Sequence, residues 1–500
     1  MTEAKRESVE GAHRAVCEND GVRASLLVRD GVCTLEVRDK AMGASQSLGV
    51  ASPASAGGAA LVAIREEEDA AEAIAGGIVP GTAFSWEFRA KVLEASAAAE
   101  AQCRILNRFP MPLNVEPSLS LRLPARGERV PGGVVASGES AWLAIAFDER
   151  SVRLKTEGEE LEVTVRAASD CPYLFPHRIR VHRFVVFLVP QEAGEVVAMS
   201  ERAVVTRNEA EGKLRVFVGK DEPAGKAFLQ LANGETVEAP LHAYAAKPAV
   251  YTTSGLGGPP VRILLRDEEG ETILDAPFGT VEEAEGNSLL EPRDWEQVRI
   301  QIWGALARAT AGEIERAEHD LLRLANEPAC ESIAWFLLGA MAMRRHQWER
   351  ATAYFDESLL YGGANPIAWV FRAWCVRQLG GDPAQELANA HLLAPVDPLL
   401  RFDAFLEGGG EGLLDEFGAD PEPYLDAADL LWLAGREAER NVVLAAAAER
   451  APSKLVHRLR SDALKRTGHD VEAEAELQRA EKAPGESSGV RITEQLLINS

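Results

Sequence analysis

Two periodicities divide the chain, and one gives way to the other near residue 281. From Val22 onward, short runs alternate apolar and polar residues or are apolar throughout, and glycine-containing pairs interrupt them. Alternation with period two puts one set of side chains on one face of an extended strand. Residues 22–29 and 33–38 flank Asp30-Gly31, and residues 228–232 and 236–239 flank Asn233-Gly234; both are hairpin signals. The same signal recurs at Glu157-Gly158, between 152–154 and 161–165, and at Glu269-Gly270, between 261–265 and 272–274. Further strands are predicted at 84–92, 141–147, 179–189, 203–206 and 214–218. Many short strands separated by turns predict antiparallel sheets packed face to face. Residues 21–280 therefore read as one large β-sandwich or two stacked ones. The small-residue run at 51–60 reads as loop, Glu66-Glu67-Glu68-Asp69 as a solvated turn or helix start, and 95–101 as a helical turn or loop. Residues 1–20 are charged (Glu3, Lys5, Arg6, Glu7, Glu10), lack the apolar run of a signal peptide, and read as a flexible N-terminus.

Residues 281–294 are acidic, and Gly286, Asn287 and Pro292 break any period, so the linker is placed there. Beyond it the helical period dominates. Ala317 and Ala351, Leu321 and Phe355, Trp335 and Trp369, and Gly339 and Ala373 each stand 34 residues apart. Leu338 and Gly339 share the inner face of a first helix, and Ala351 and Phe355, four apart, close against it from a second. These residue types at this spacing resemble the tetratricopeptide (TPR) repeat. The resemblance implies helix–turn–helix pairs that bury their faces only against neighbours. Repeats 1–3 fall at 295–392, with Gly312 and Gly380-Gly381 in inter-helix turns. Ala394-Pro395-Val396-Asp397-Pro398 and Gly408-Gly409-Gly410 mark an irregular break at 393–420. Repeats 4–5 resume at 421–485, and a tail occupies 486–500. The break predicts two short stacks rather than one continuous superhelix. Glu472, Glu474, Glu476, Arg479 and Lys482 give the last helix the charged face of a capping repeat. The expected fold class is α+β multidomain: an N-terminal antiparallel β-sandwich, supersandwich-like, followed by a C-terminal α-helical TPR array.

Composition narrows the function classes. The 500 residues carry a formal charge of −25, which opposes a nucleic-acid backbone as the main partner. The six cysteines (Cys17, Cys33, Cys103, Cys171, Cys330, Cys375) form no CxxC, and the histidines have no metal-ligand spacing. Scattered thiols suit a reducing compartment, and no run is apolar and long enough to span a membrane, so a cytoplasmic protein without metal or cofactor is expected.

Candidate chemistry lies in three places. In the helices, the TPR resemblance places partner contacts on the first helix of each pair, which implies Ile333, Phe336, Met343 and Arg344 in one repeat and Val370, Trp374, Arg377 and Gln378 in the next. Aromatic residues and Met beside Arg suit an extended peptide with an acidic group. The alternative is that Phe336 and Trp374 pack on a neighbouring helix or on the β half; Trp348 reads as a packing residue. In the β half, His177-Arg178-Ile179-Arg180-Val181-His182-Arg183 puts Arg178, Arg180 and His182 on one strand face. Such a face could grip a carboxylate or phosphate, or could simply be a solvated strand face. Residues 107–119, ending Glu116-Pro117-Ser118-Leu119, and the segment Lys247-Pro248-Ala249-Val250-Tyr251-Thr252-Thr253 resemble galactose-mutarotase-like β-supersandwich proteins. The family's catalytic histidine has no counterpart at Glu116, so the resemblance implies a kept fold with the paired acid and base lost.

A β domain of this kind joined to TPRs resembles a family of bacterial proteins in which Leu393-Ala394-Pro395-Val396-Asp397-Pro398 matches a break in the array. Two functions follow as expectations. The first is a non-catalytic scaffold holding a protein or peptide partner, with the β half as a second binding or packing surface. The alternative is a carbohydrate-binding or carbohydrate-active protein using the sandwich cleft, with Glu116, His177, His182 and Arg180 as candidates.

Overall fold

The computed structural model describes residues 2–484 other than 10–11, 30–31, 53–59, 80–83, 109–112, 115–117, 124–126, 139, 148–150, 158–159, 167–172, 175–178, 279–294 and 328–329. Alternating residues build strands β1 (Glu3–Val9), β2 (Ala12–Glu18), β3 (Val22–Arg29), β4 (Val32–Asp39), β5 (Ser45–Ser52), β6 (Ala60–Glu66), β7 (Ala70–Ile78), β8 (Phe84–Leu93) and β9 (Ala98–Asn107). After them come β10 (Leu113–Asn114), β11 (Ser118–Leu123), β12 (Gly127–Val130), β13 (Gly133–Ser137), β14 (Ala141–Phe147), β15 (Ser151–Glu157), β16 (Glu160–Arg166), β17 (Tyr173–Leu174) and β18 (Ile179–Pro190). They form one eight-stranded sheet in the order β1-β2-β3-β4-β5-β11-β16-β15 and a second in the order β12-β13-β14-β18-β9-β8-β7-β6, with β10 and β17 paired apart. Every pairing is antiparallel, and the facing sides, including Leu26, Leu35, Phe88, Ile145 and Phe184, enclose one core.

A smaller sandwich follows. Strands β19 (Glu195–Met199), β20 (Ala203–Asn208), β21 (Lys213–Val218) and β24 (Ala249–Thr252) pack on β22 (Glu222–Leu231), β23 (Thr236–Ala243), β25 (Pro260–Arg266) and β26 (Thr272–Pro277) around Leu214, Val216, Leu229 and Ile263. Of the two architectures left open by the strand pattern, two stacked sandwiches is the one observed.

The helices are α1 (Trp295–Thr310), α2 (Ile314–Leu324), α3 (Glu331–Arg344), α4 (Trp348–Tyr361), α5 (Pro366–Gln378), α6 (Ala384–Leu393), α7 (Pro398–Leu406), α8 (Glu422–Leu433), α9 (Glu437–Arg450), α10 (Lys454–Arg466) and α11 (Asp470–Lys482). A 3₁₀ segment, Glu411–Phe417, separates α7 from α8. Asn365 caps α5 and Asp397 caps α7, each with proline in the first turn, which fixes where those helices start. Gly339 faces the Phe355 ring, as the repeat packing requires.

The second large sheet is covered on both faces. Its inner side faces the sandwich core. Its outer side meets the small sandwich at Val135, Ala144, Val185 and Phe187, and the helices at Leu61, Ala63 and Ile74. Strand β7 (AAEAIAGGI) is buried along its whole length: Ala71, Ala73 and Ala75 look inward, while Ile74 joins the helical core. A strand buried on both faces loses the alternation that reveals strands.

Several expectations are corrected here. Residues 3–9 and 12–18 are strands: Ala4 N donates to Glu66 Oε1, and Lys5 pairs with Glu18 at 3.2 Å. Residues 98–101 begin β9 rather than a helical turn or loop. The acidic run 66–69 lies at the exposed turn between β6 and β7, as a solvated turn would. The array is not two stacks, because α8 lies against α3 and α7 against α5 within one continuous core. Glu476 of the capping helix is buried, with His457 Nδ1 at 2.6 Å and Arg460 at 3.0 Å, so it ties α11 to α10. The linker and tail lie outside the described residues.

Candidate functional site: the inner face of the helical array

The helices α3 and α5, each the first of its pair, turn their apolar faces inward, and the chain itself fills that space. Phe336 has no exposed surface and lies 5.1 Å from the Phe371 ring and 5.8 Å from Phe355. Ile333, Met343 and Val370 are buried with it. Trp374, 2 % exposed, stacks on Phe371 at 4.8 Å and donates its indole N–H to Asp403 of α7 at 2.7 Å. Arg377 donates twice to the same carboxylate, at 3.1 and 3.2 Å, and reaches Glu407 at 2.9 Å. Arg344, at the end of α3, donates to the Trp432 carbonyl of α8 and sits 4.9 Å over the Trp432 ring.

The groove drawn across repeats 2 and 3 is therefore occupied by α7 and α8. The packing alternative holds for Phe336 and Trp374, on helices. Of the predicted partner set, Arg344 and Gln378 stay exposed and Arg377 is partly so. Trp348 is half-buried and meets His346 edge-on at 5.3 Å.

The second constellation went unrecognised from sequence. It lies where the β half grips the array. Arg108, one residue past β9, is fully buried among carboxylates 289 and 318 positions away. Its Nε donates to Asp426 of α8 at 2.8 Å, and its Nη1 and Nη2 form a fork to Asp397, the cap of α7. Burial opposes the charge, but Asp397 and Asp426 outweigh it and hold the guanidinium protonated more firmly than usual. Beside this pair, Arg65 donates to the Leu392 carbonyl, and Arg89 and Arg104 to the Leu393 carbonyl, at the C-terminal end of α6. Cations at unpaired helix carbonyls also oppose the negative end of the helix dipole. Val396 sits so close over Gly76 that a Cβ there would lie 2.6 Å from it. The sequence had marked both segments, 107–119 and 393–398, but as echoes of other folds. Their apposition joins sheet to helices.

In the β half, Glu116 and His177 lie outside the described residues. His182 is fully buried, on the same face of β18 as Phe184 and thus in the sandwich interior, so it does not stand on a solvent-facing cationic surface. Arg180 is half-buried on that same face. Lys247–Thr253 contributes β24, at the edge of the small sandwich. Open clefts also lie in the β half. One of about 760 Å³ is lined by Thr34, Glu36, Ser45, Gln46, Ser137 and Ser140. Another of about 420 Å³, at the junction of the sandwiches, presents Asp20, Asp39, Glu94, Asp221 and Tyr244. Among the described residues, no cluster of three or more His, Cys, Asp or Glu could hold a metal, and no helix is long and apolar enough to cross a membrane.

No family model matches the chain, and no curated protein does. Solved structures that align with it include several TPR proteins. A mutant form of MamA is 17 % identical over 38 % of this chain and 98 % of its own, with TM-score 0.18. YrrB, described as a TPR protein with an unusual peptide-binding site, is 15 % identical over 36 % and 82 %, with TM-score 0.19. A TPR-domain protein from Parabacteroides distasonis is 12 % identical over 95 % and 88 %, with TM-score 0.21. The TPR-like architecture here rests on the helix pairs themselves.

Proposed function

We propose that this chain is a non-catalytic protein-interaction scaffold whose helical array holds a protein or peptide partner, with the β half as its platform. The carrying observation is the stack of helix pairs clamped to a double sandwich by the buried Arg108 pair with Asp397 and Asp426. A clamp of that kind pre-organises the part of the array that it holds, around α7 and α8. With the inner face of repeats 2 and 3 filled, the contact surface moves to exposed parts of the array, Arg344 and Gln378 among them. The test is photo-cross-linking of the full chain in its host, with the reactive residue at Gln378 or Arg466 on the array, and at Val250 or Val261 on the small sandwich. One discrete adduct from the array positions supports the reading; adducts from the sandwich positions alone oppose it.

A carbohydrate-binding β half is the second reading. It is supported by the hydroxyl- and amide-lined cleft around Thr34, Ser45, Gln46 and Ser137. Binding on a glycan array that Gln46→Ala abolishes would favour it, and a blank array would remove it.

A further inference from the structure

Among the described residues, five turns that join two α-helices hold one residue with positive φ, two positions past the end of the first helix. Four are glycines: Gly312 (85°), Gly380 (78°), Gly435 (75°) and Gly468 (81°). The fifth, between α3 and α4, is His346 at 57°. Gly312, His346 and Gly380 stand 34 apart, so the position is equivalent and glycine is what its backbone favours. A side chain held in this region carries a cost of about 1 kcal/mol or more. His346 is exposed, with the Trp348 ring as its aromatic neighbour, so burial does not account for it.

The same edge of the array gathers arginines. Arg344 packs along Gly435, where a Cβ would lie 2.7 Å from its Cγ. Arg436, next to Gly435, lies 4.4 Å over the Trp374 ring, and one of its terminal nitrogens is buried without a partner among the described residues. Arg440 has no exposed side-chain surface; it meets Glu437 at 3.3 Å and Asp462 at 3.4 Å, and its Nε and Nη2 are unpartnered among the described residues. Arg466 shares that same Asp462 oxygen at 3.0 Å and keeps 44 % of its side chain open. Arg440 and Arg466 both act on Arg344 through space. Arg436, Arg440 and Arg466 thus meet Glu439, Glu437 and Asp462, Arg344 adds a fourth guanidinium beside them, and Asp403 beyond the Trp374 ring is taken up by Trp374 and Arg377. In a chain of −25, this is a local excess of positive charge with unused N–H donors behind it.

We infer that this turn edge is a recognition rim for an acidic peptide segment of a partner protein, with Arg344, His346 and Arg466 as contacts and Arg436 and Arg440 as the charge behind them. The inference rests on the scaffold reading and names its partner chemistry. Carboxylates fit the rim because a guanidinium fork donates to both oxygens of one carboxylate together. A nucleic-acid strand fits worse: its continuous phosphates would meet Glu437, Glu439 and the acidic remainder of the chain.

The experiment is fluorescence anisotropy of the full chain with a labelled peptide of alternating Glu and Gly, beside the same peptide with Gln for Glu and a single-stranded oligonucleotide of equal charge. The Glu peptide should bind, and the Gln peptide at least roughly tenfold more weakly, as loss of charge-assisted bonds requires. Arg466→Gln, at an exposed position that leaves the array folded, should weaken binding, and adding Arg344→Gln should weaken it further. His346→Gly should raise the melting temperature while reducing affinity, a combination that a purely structural histidine would not give. Equal binding of the Glu and Gln peptides, unchanged affinity in the doubly substituted chain, or tighter binding of the oligonucleotide would each overturn the rim. A cross-linked partner that the doubly substituted chain still holds would remove the rim and leave the scaffold standing.

Discussion

Arg108 and Arg440 are both arginines with no exposed side-chain surface, and they are buried in opposite ways. Arg108 sits between two carboxylates on two helices and uses Nε, Nη1 and Nη2. Arg440 makes two long contacts, to carboxylates that keep 23 % and 17 % of their side chains open, and leaves two nitrogens unused among the described residues. A buried charge is tolerated when its neighbours complete its hydrogen bonds. Arg108 is completed by the fold, and so it joins the halves. Arg440 is not, and so its surroundings retain attraction for an outside anion.

The largest effect is expected at the completed site. Arg108→Met leaves Asp397 and Asp426 buried without their cation, and should cost about 3–5 kcal/mol by urea unfolding. It should also let the helices and the large sandwich unfold at separate midpoints, followed by hydrogen exchange in each half. Arg440→Met should change stability by about 1 kcal/mol or less, because Glu437 and Asp462 retain water access. A loss at position 440 as large as that at 108 would break the distinction between them. His346→Gly should stabilise the array by about 1 kcal/mol through relief of positive φ, read as a raised melting temperature.

The smallest effect concerns pH. Burial raises the carboxyl of Glu72, on the outer face of the second sheet, above its ordinary value, with Arg89 at 3.7 Å and Arg65 at 3.5 Å opposing. The folded chain thus holds that proton more tightly than the unfolded chain. The stabilisation is complete below the ordinary value of 4.5 and is lost as pH rises through the raised one. Glu72→Gln should remove this slope and leave the variant slightly more stable than the parent near neutrality, as read from urea midpoints across that pH range.

The two halves differed in how readily they could be read from residues. Strands with one face on a core, such as β4 (VCTLEVRD), announce themselves by alternation. Strand β7 and the start of β9 do not, because helices or a second sandwich cover their outer face and small residues fill both sides, and β6 is apolar on both faces at Leu61 and Val62. Strand β1 (EAKRESV) stayed hidden because an edge strand can be mostly polar and still pair. The helix pairs were legible because a 34-residue spacing survives any change of individual residue. The filling of the inner face was not, since it depends on α7 and α8 curling back over α5 and α3, a tertiary event with no local signature. The Arg108 pairing was equally hidden, joining positions 289 apart. Gly312 and Gly380 are legible as turn residues; the histidine between them, at the same offset, was the signal available and unused.

The Arg108–Asp397 contact couples the sheet to the helices. A double-mutant cycle on urea unfolding, with Arg108→Met, Asp397→Asn and the combined variant, measures it directly. The cycle subtracts the separate loss of the Asp397 cap on α7. A coupling of about 2 kcal/mol or more is predicted, in the range found for residues in direct contact. Additive losses would mean that the arginine and the aspartate act apart, and that the two halves merely lie side by side.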